Sequence, residues 1–115
     1  MSYTFDMDDV TVWSPANQVG ALYVGMLQTV ADEMRTRTGL TTDSGDWFQV
    51  DRAAYTGLVE KMLAAYAASS HFEFRLLLGS LLAVSIPLLD RAGVVLTART
   101  AEEEAAISQL RDTVL

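Results

Sequence analysis

Two periods of apolar residues alternate along this chain. Near its start Tyr3 and Phe5 lie two apart, and so do Val10 and Val12. That is the period of a β-strand, whose alternate side chains share one face. The polar segment Met7-Asp8-Asp9 between them predicts a turn, and residues 3–13 together a β-hairpin. A lone hairpin is marginal and must pack on something. The period then lengthens. Val19, Leu22, Tyr23, Met26, Leu27, Val30 and Met34 follow at the three-four spacing of one helical face. Ser14 is a suitable N-cap and Pro15 suits a first helical position, where a missing N–H costs nothing. Gly39 offers a stop with positive φ. The first helix is therefore expected over about 15–38, and residues 40–50 read as a polar loop.

Asp51 can cap a second helix over about 52–69, with Val50 and Tyr55 placed as a hydrophobic staple. Its stripe is Tyr55, Leu58, Val59, Met62, Leu63 and Tyr66. Ser70-x-x-Glu73 has the form of a capping box and predicts a third helix over about 71–92, with Gly93 past its end. That helix is apolar nearly all round, so neighbours on several sides or a second subunit must bury it. Leu81 and Leu82 point about 100° apart and need cover on two sides. Gly79 and Ala83 would let another helix come close, and Pro87 removes one helical hydrogen bond. Residues 94–96 suit either a short strand or an apolar linker. Thr100-x-x-Glu103 opens a fourth helix over about 101–113, with Glu102, Glu103 and Glu104 in the first turn, where the helix dipole favours them. Its narrow stripe is Ile107, Leu110 and Val114. The expected fold is mainly α: one compact four-helix domain, residues 1–115, with a small N-terminal β-hairpin packed around the apolar third helix.

Composition narrows the function. The net charge is −7, from 15 acids and 8 bases. Nucleic acid and anionic membranes, which need a basic patch, are disfavoured as partners. A basic protein partner is compatible. The chain contains no cysteine, which removes disulfides, thiol nucleophiles and zinc–cysteine sites. The acidic opening MSYTFDMDDV lacks the form of a secretory leader. The apolar run 76–89 is interrupted by Gly79, Ser80, Ser85 and Pro87 and reads as too short to span a bilayer. A cytoplasmic protein is expected.

Catalytic chemistry finds little to work with. His71 is the single histidine, and no second histidine or cysteine completes a ligand set. Asp6, Asp8 and Asp9 cluster at the hairpin turn, but the glycine and bidentate glutamate of a calcium loop are missing. Glu60 and Glu73 are not brought together by any pattern, and neither a Gly-x-Ser-x-Gly elbow nor a glycine-rich phosphate loop occurs. No enzyme activity, cofactor or metal is expected. The loop Asp43, Asp46, Trp47, Phe48 is the most suggestive segment. Its adjacent aromatics between acids suit a protein interface, where buried aromatics carry much of the energy; alternatively they fold inward to cover the second helix. Trp13 reads as core.

The opening YTFDMDDVTVWSPANQVG, with Tyr3, Phe5, Trp13, Pro15, Asn17 and Gly20, resembles an uncharacterised family of small acidic proteins from actinobacteria. The stretch YAASSHFEFRLLLGSLLAVSIPLLDRAG is similar to that family too, up to about Gly93. The resemblance implies no activity and no functional residue. The residues favour a protein-binding module, such as an immunity protein or antitoxin-like inhibitor of a basic effector. Its candidate contacts are Asp43, Asp46, Trp47, Phe48, Asp6, Asp8 and Asp9. The alternative is a small apolar-ligand-binding or homo-oligomeric structural protein. There the apolar third helix and five methionines would shape a pocket or a homodimer interface.

Overall fold

The computed structural model describes residues 2–113 and 115. In chain order the elements are β1 (Thr4–Met7), β2 (Val10–Trp13), α1 (Asn17–Glu33), β3 (Leu40–Thr42), β4 (Trp47–Val50), α2 (Arg52–Ala68), α3 (Phe72–Arg91) and α4 (Ala101–Arg111). The chain divides into two compact units, Met1–Leu58 and Val59–Leu115, and α2 belongs partly to each.

In the first unit the expected hairpin is half of a larger sheet, with strand order β2-β1-β4-β3. β1 is antiparallel to β2 and parallel to β4, and β3 is antiparallel to β4. The four expected helices and the N-terminal strand pair are present, but the sheet has four strands, so the fold is not purely helical. Asp8 and Asp9 both take positive φ, 53° and 65°, as a two-residue hairpin turn requires. Residues 40–50, expected as a loop, are a second hairpin. Trp47 and Gln49 are exposed while Phe48 and Val50 are buried, so the segment does alternate with period two. Thr42 organises its turn. The Thr42 hydroxyl accepts from the Ser44 and Gly45 amides and donates to the Trp47 carbonyl at 2.8 Å, and Gly45 supplies φ +84°.

α1 is shorter than expected at both ends. The Tyr3 amide bonds the Pro15 carbonyl at 2.9 Å, and Ser2 bridges Ala16, so the sheet holds these residues out of the helix. Ala16 stands at the N-cap without a side-chain bond, and Ser14 does not cap. At the other end Arg35 adopts φ +53°. The Thr36 amide reaches the Ala31 carbonyl and the Arg35 amide the Asp32 carbonyl, at 2.9 and 3.1 Å. This is a Schellman ending with arginine in the left-handed position that glycine usually takes. Gly39 has positive φ, +79°, but does not end α1. It lies against the first turn of α2, where a Cβ would sit 2.8 Å from the Tyr55 amide nitrogen. The buried side of α1 is Gly20, Tyr23, Leu27 and Ala31. Val19 and Leu22, expected in the apolar stripe, are exposed. The face is rotated because Tyr23 packs edge-on against Phe5 and Trp13 of the sheet, at 6.2 and 5.3 Å between ring centroids. The Tyr23 and Tyr55 hydroxyls pair at 2.7 Å. Asp51 caps α2 as expected, its Oδ2 accepting from the Ala54 amide at 2.8 Å.

In the second unit the corner between α2 and α3 is held by Arg75. Its guanidinium donates to the Tyr66 and Ser69 carbonyls at 2.8 and 3.1 Å and lies 4.1 Å from the centroid of the Tyr66 ring. It thereby adds a charged donor to carbonyls at the end of α2, of which the Tyr66 carbonyl also receives the Ser69 amide at 3.3 Å. His71 is the N-cap of α3 and makes no side-chain cap bond, so the expected Ser70 capping box does not form. The Ser69 hydroxyl, one residue earlier, accepts from the His71 amide. Leu81, Leu82 and residues 85–89 of α3 are all buried. Gly79 does admit a close neighbour: a Cβ there would meet the Tyr66 ring at 3.1 Å. α3 has 20 residues, beginning before the 76–89 run, and by length and composition suffices to cross a membrane; half of its most apolar stretch is buried inside the protein. Gly93, φ +75°, closes it with a Schellman pair, the Val94 and Gly93 amides bonding the Leu89 and Asp90 carbonyls. Residues 94–98 form a linker rather than a strand. Thr100 caps α4 by accepting from the Glu103 amide at 3.1 Å. Ile107 is buried, Leu110 is half-buried, and Val114 lies outside the described residues.

Candidate functional site

The sheet has two unlike faces, and the difference follows from strand alternation together with a bulge opposite Phe5 and Asp6, which turns Thr11 and Trp13 of β2 to opposite sides. Phe5, Met7, Trp13, Phe48 and Val50 point inward and are buried. Tyr3, Phe5 and Phe48 form an aromatic stack with centroid separations of 5.3–6.3 Å. The outward positions carry polar groups in register. Asp6 pairs with Thr11 on one side and Gln49 on the other, and Gln49 pairs with Thr41. Thr4 pairs with Trp47 in the adjoining row.

Trp47 is the exception to the polarity of this face. Its side chain is 54% exposed. The indole N–H donates to Asp6 Oδ2 at 2.7 Å, while the Thr11 hydroxyl donates to Asp6 Oδ1 at 2.6 Å. Asp6 itself is only 8% exposed. Both oxygens of one carboxylate are used to hold an aromatic plate on the solvent side of the sheet. Such charge-assisted bonds are about twice as strong as neutral ones. A hollow of about 220 Å³ adjoins the indole, lined by Thr41, Thr42, Asp43, Ser44 and Gln49. It shares Thr41 and Gln49 with an open cleft of about 710 Å³ lined also by Asp32, Arg37, Thr38 and Asp51.

The acids flank this face at opposite ends. The Thr4 amide bonds the Asp46 carbonyl at 2.8 Å, which sets the 43–46 turn at the start of β1. Asp8 and Asp9 follow the end of β1. Asp43, Asp8 and Asp9 are exposed and Asp46 is half-buried. Asp8 pairs with Arg52 at 2.8 Å, a largely solvated contact that adds little stability. The two readings open for the adjacent aromatics divide between them: Trp47 faces solvent and Phe48 is core, because successive strand residues point to opposite faces. Asp6 is not a free surface acid, since Trp47 and Thr11 cover it. Thr11, Gln49 and Thr41 belong to the face and were missed. Their only sequence signal is that each occupies an outward strand position. Among the described residues no group of three histidines or carboxylates is placed to hold a metal ion.

The whole-chain pattern that carries this sheet and these helices has a match. The chain belongs to the DUF6086 family. It is a family of unknown function, and the match spans residues 1–114. No curated protein and no solved structure matches the chain.

Proposed function

We propose that this DUF6086 protein is a protein-binding module, acting in the cytoplasm of an actinobacterium as an immunity protein or antitoxin-like inhibitor of a basic effector. The contact surface is the outward face of the sheet. One observation carries the reading: a large aromatic is held half in solvent by a nearly buried carboxylate. An exposed tryptophan costs solubility unless it is used, and tryptophan is among the residues that dominate interface energies. Holding it in one orientation lowers the entropy lost on binding. The acids at both ends of the face, with the net charge of −7, suit a cationic partner. They act mainly by steering encounter.

The test is capture from the native host at low salt with the wild-type chain and with two variants, followed by kinetics on the captured partner. Trp47→Ala should dissociate faster, with an affinity loss of about thirtyfold, the equivalent of roughly 2 kcal/mol. The double variant Asp43→Asn, Asp46→Asn should associate more slowly and respond less to salt, with little change in dissociation. A partner bound at wild-type rates by both variants removes the sheet face from consideration. A partner that is acidic removes the inhibitor reading.

A further inference from the structure

Trp47 offers a partner ring surface and no donor. Its indole N–H is occupied by Asp6 Oδ2 at 2.7 Å, so the exposed half of the side chain acts through its faces. The charge that holds it is itself out of reach. Asp6 is nearly buried, and both of its oxygens are taken, by Trp47 and Thr11. A negative charge therefore stands at the edge of the indole and adds to the negative potential of the ring faces. The hollow of about 220 Å³ beside the ring is lined by Thr41, Thr42, Asp43, Ser44 and Gln49, which bring oxygen acceptors and no cation. Arg37 lines the adjoining cleft but not the hollow. Among the described residues the cation held on an aromatic ring is Arg75, on Tyr66, so the Trp47 ring carries none from its own chain.

We propose that this plate and hollow take an arginine side chain of the protein partner, its guanidinium stacked on the Trp47 ring; the assignment rests on the inhibitor reading above and deepens it. A cation is favoured over an apolar or aromatic side chain because the ring faces and the Asp6 carboxylate are negative. Arginine is favoured over lysine because its planar group stacks flat on an aromatic face and keeps its in-plane N–H donors free. Those donors can reach oxygens of Thr41, Ser44 and Gln49 in the hollow. An ammonium is a compact, strongly hydrated charge that gains less from a single ring. The hollow is large enough. Four guanidinium heavy atoms, at a water's share of ~30 Å³ each, need about 120 Å³. Asp43 is exposed at the rim, so it speeds the encounter and adds little to the held state.

Titration of the full chain with single-residue probes, followed by nitrogen–proton correlation NMR, tests this. The two tryptophans of the chain give two indole N–H signals, and Trp47→Leu identifies that of Trp47. N-acetyl-arginine amide should move this signal saturably, with a Kd of roughly millimolar order, as a ligand of its size allows. N-acetyl-lysine amide should bind at least threefold more weakly. N-acetyl-citrulline amide keeps the shape of the arginine probe without its charge and should not bind. Trp47→Leu keeps an apolar side chain and removes the stacking surface, so the Ser44 and Gly45 amide signals should cease to respond to the arginine probe. Asp43→Asn should weaken binding by less than threefold.

A citrulline probe that binds as well as the arginine probe overturns the proposal, because charge is then not read. So does lysine binding equal to arginine, an arginine probe that leaves the Trp47 signal unmoved at tens of millimolar, or binding that persists in Trp47→Leu. Free L-arginine that binds tenfold or more tightly than the capped probe overturns it as well, by assigning the hollow to a small metabolite instead of a polypeptide. The inhibitor reading fails separately. A captured basic partner that Trp47→Ala weakens, with no arginine-probe binding, removes this site and leaves that reading standing. Arginine-probe binding with no basic partner captured supports the site and removes that reading.

Discussion

Two glycines of α1 should respond to the same substitution with opposite signs. An alanine in a helix interior is favoured over glycine by about 0.8–1.0 kcal/mol, because glycine loses more backbone entropy on folding. At Gly25 nothing lies within 4 Å of an added Cβ, so Gly25→Ala should gain roughly 0.5–1 kcal/mol. At Gly20 the added Cβ would lie 2.5 Å from Tyr3 Cγ and 2.6 Å from both Tyr3 Cβ and Cδ2. Rotating the ring moves Cδ2 but not Cβ, so the clash needs a backbone shift. That backbone is tied by the Tyr3 amide to the Pro15 carbonyl and by the Ser2–Ala16 bridge. Overpacking of this kind costs ~2–3 kcal/mol, leaving a net loss of about 1–2 kcal/mol after the helix-propensity gain. The two variants should differ by roughly 2–3 kcal/mol, which separates their urea midpoints by about 1–2 M. Urea unfolding followed by far-ultraviolet circular dichroism measures this. On a Tyr3→Ala background the obstruction is gone, and Gly20→Ala should become stabilising, a coupling that a double-mutant cycle isolates. If Gly20→Ala is as stable as wild type, or remains destabilising when Tyr3 is truncated, the packing of Tyr3 on α1 is wrong.

Asp6→Ala should cost about 2 kcal/mol, because it removes two charge-assisted bonds from a nearly buried site. It should also free the indole, so acrylamide quenching of Trp47 should rise in a Trp13→Phe background; unchanged quenching would deny the pinned orientation. Arg35→Gly should stabilise by roughly 0.5–1 kcal/mol, since arginine at positive φ carries a steric cost that glycine does not. Gly39→Ala should destabilise by about 2 kcal/mol or more, from strain at positive φ together with the contact on the Tyr55 amide. Thermal melts check both, and equal melting temperatures for the two variants would contradict the backbone assignment.

The features legible in the sequence are those decided within four or five residues. Asp51 and Thr100 cap the helices expected of them because the donor is three residues away. Gly93 ends α3 because its conformation needs no distant partner. The start of α1 was misread because Pro15 and Ala16 answer to Tyr3 and Ser2 instead of the helix that follows. Its end was misread because arginine occupies a left-handed position, which composition does not announce. The β3–β4 hairpin was hidden for a different reason. Strands of three and four residues show only one or two alternations, and β4 is placed by parallel pairing with β1, some forty residues earlier. The orientation of Trp47 depends on Asp6, 41 positions away. Acids and aromatics could be picked out as surface candidates, but which aromatic faces solvent was a question of strand register.

Charge enters the proposed complex at two distances, and salt separates them. Asp8 and Asp9 at one end of the sheet and Asp43 and Asp46 at the other act on a partner across solvent, so screening weakens what they contribute. Asp6 is nearly buried at the edge of the indole, and screening reaches a buried charge much less. A salt titration of the captured complex should therefore slow association steeply and change dissociation little. Trp47→Ala should dissociate faster at every salt and keep the same salt slope of association. Asp6→Ala distinguishes the two roles of a carboxylate. As the group that holds Trp47 it should raise the dissociation rate, because the indole must then be ordered on binding, and it should leave the salt slope of association nearly unchanged. If Asp6→Ala lowers that slope as far as Asp43→Asn, Asp46→Asn does, Asp6 acts as a surface charge. If its dissociation rate matches wild type while circular dichroism shows the chain folded, the partner does not use the fixed orientation of Trp47, and the sheet face is left with its acids alone.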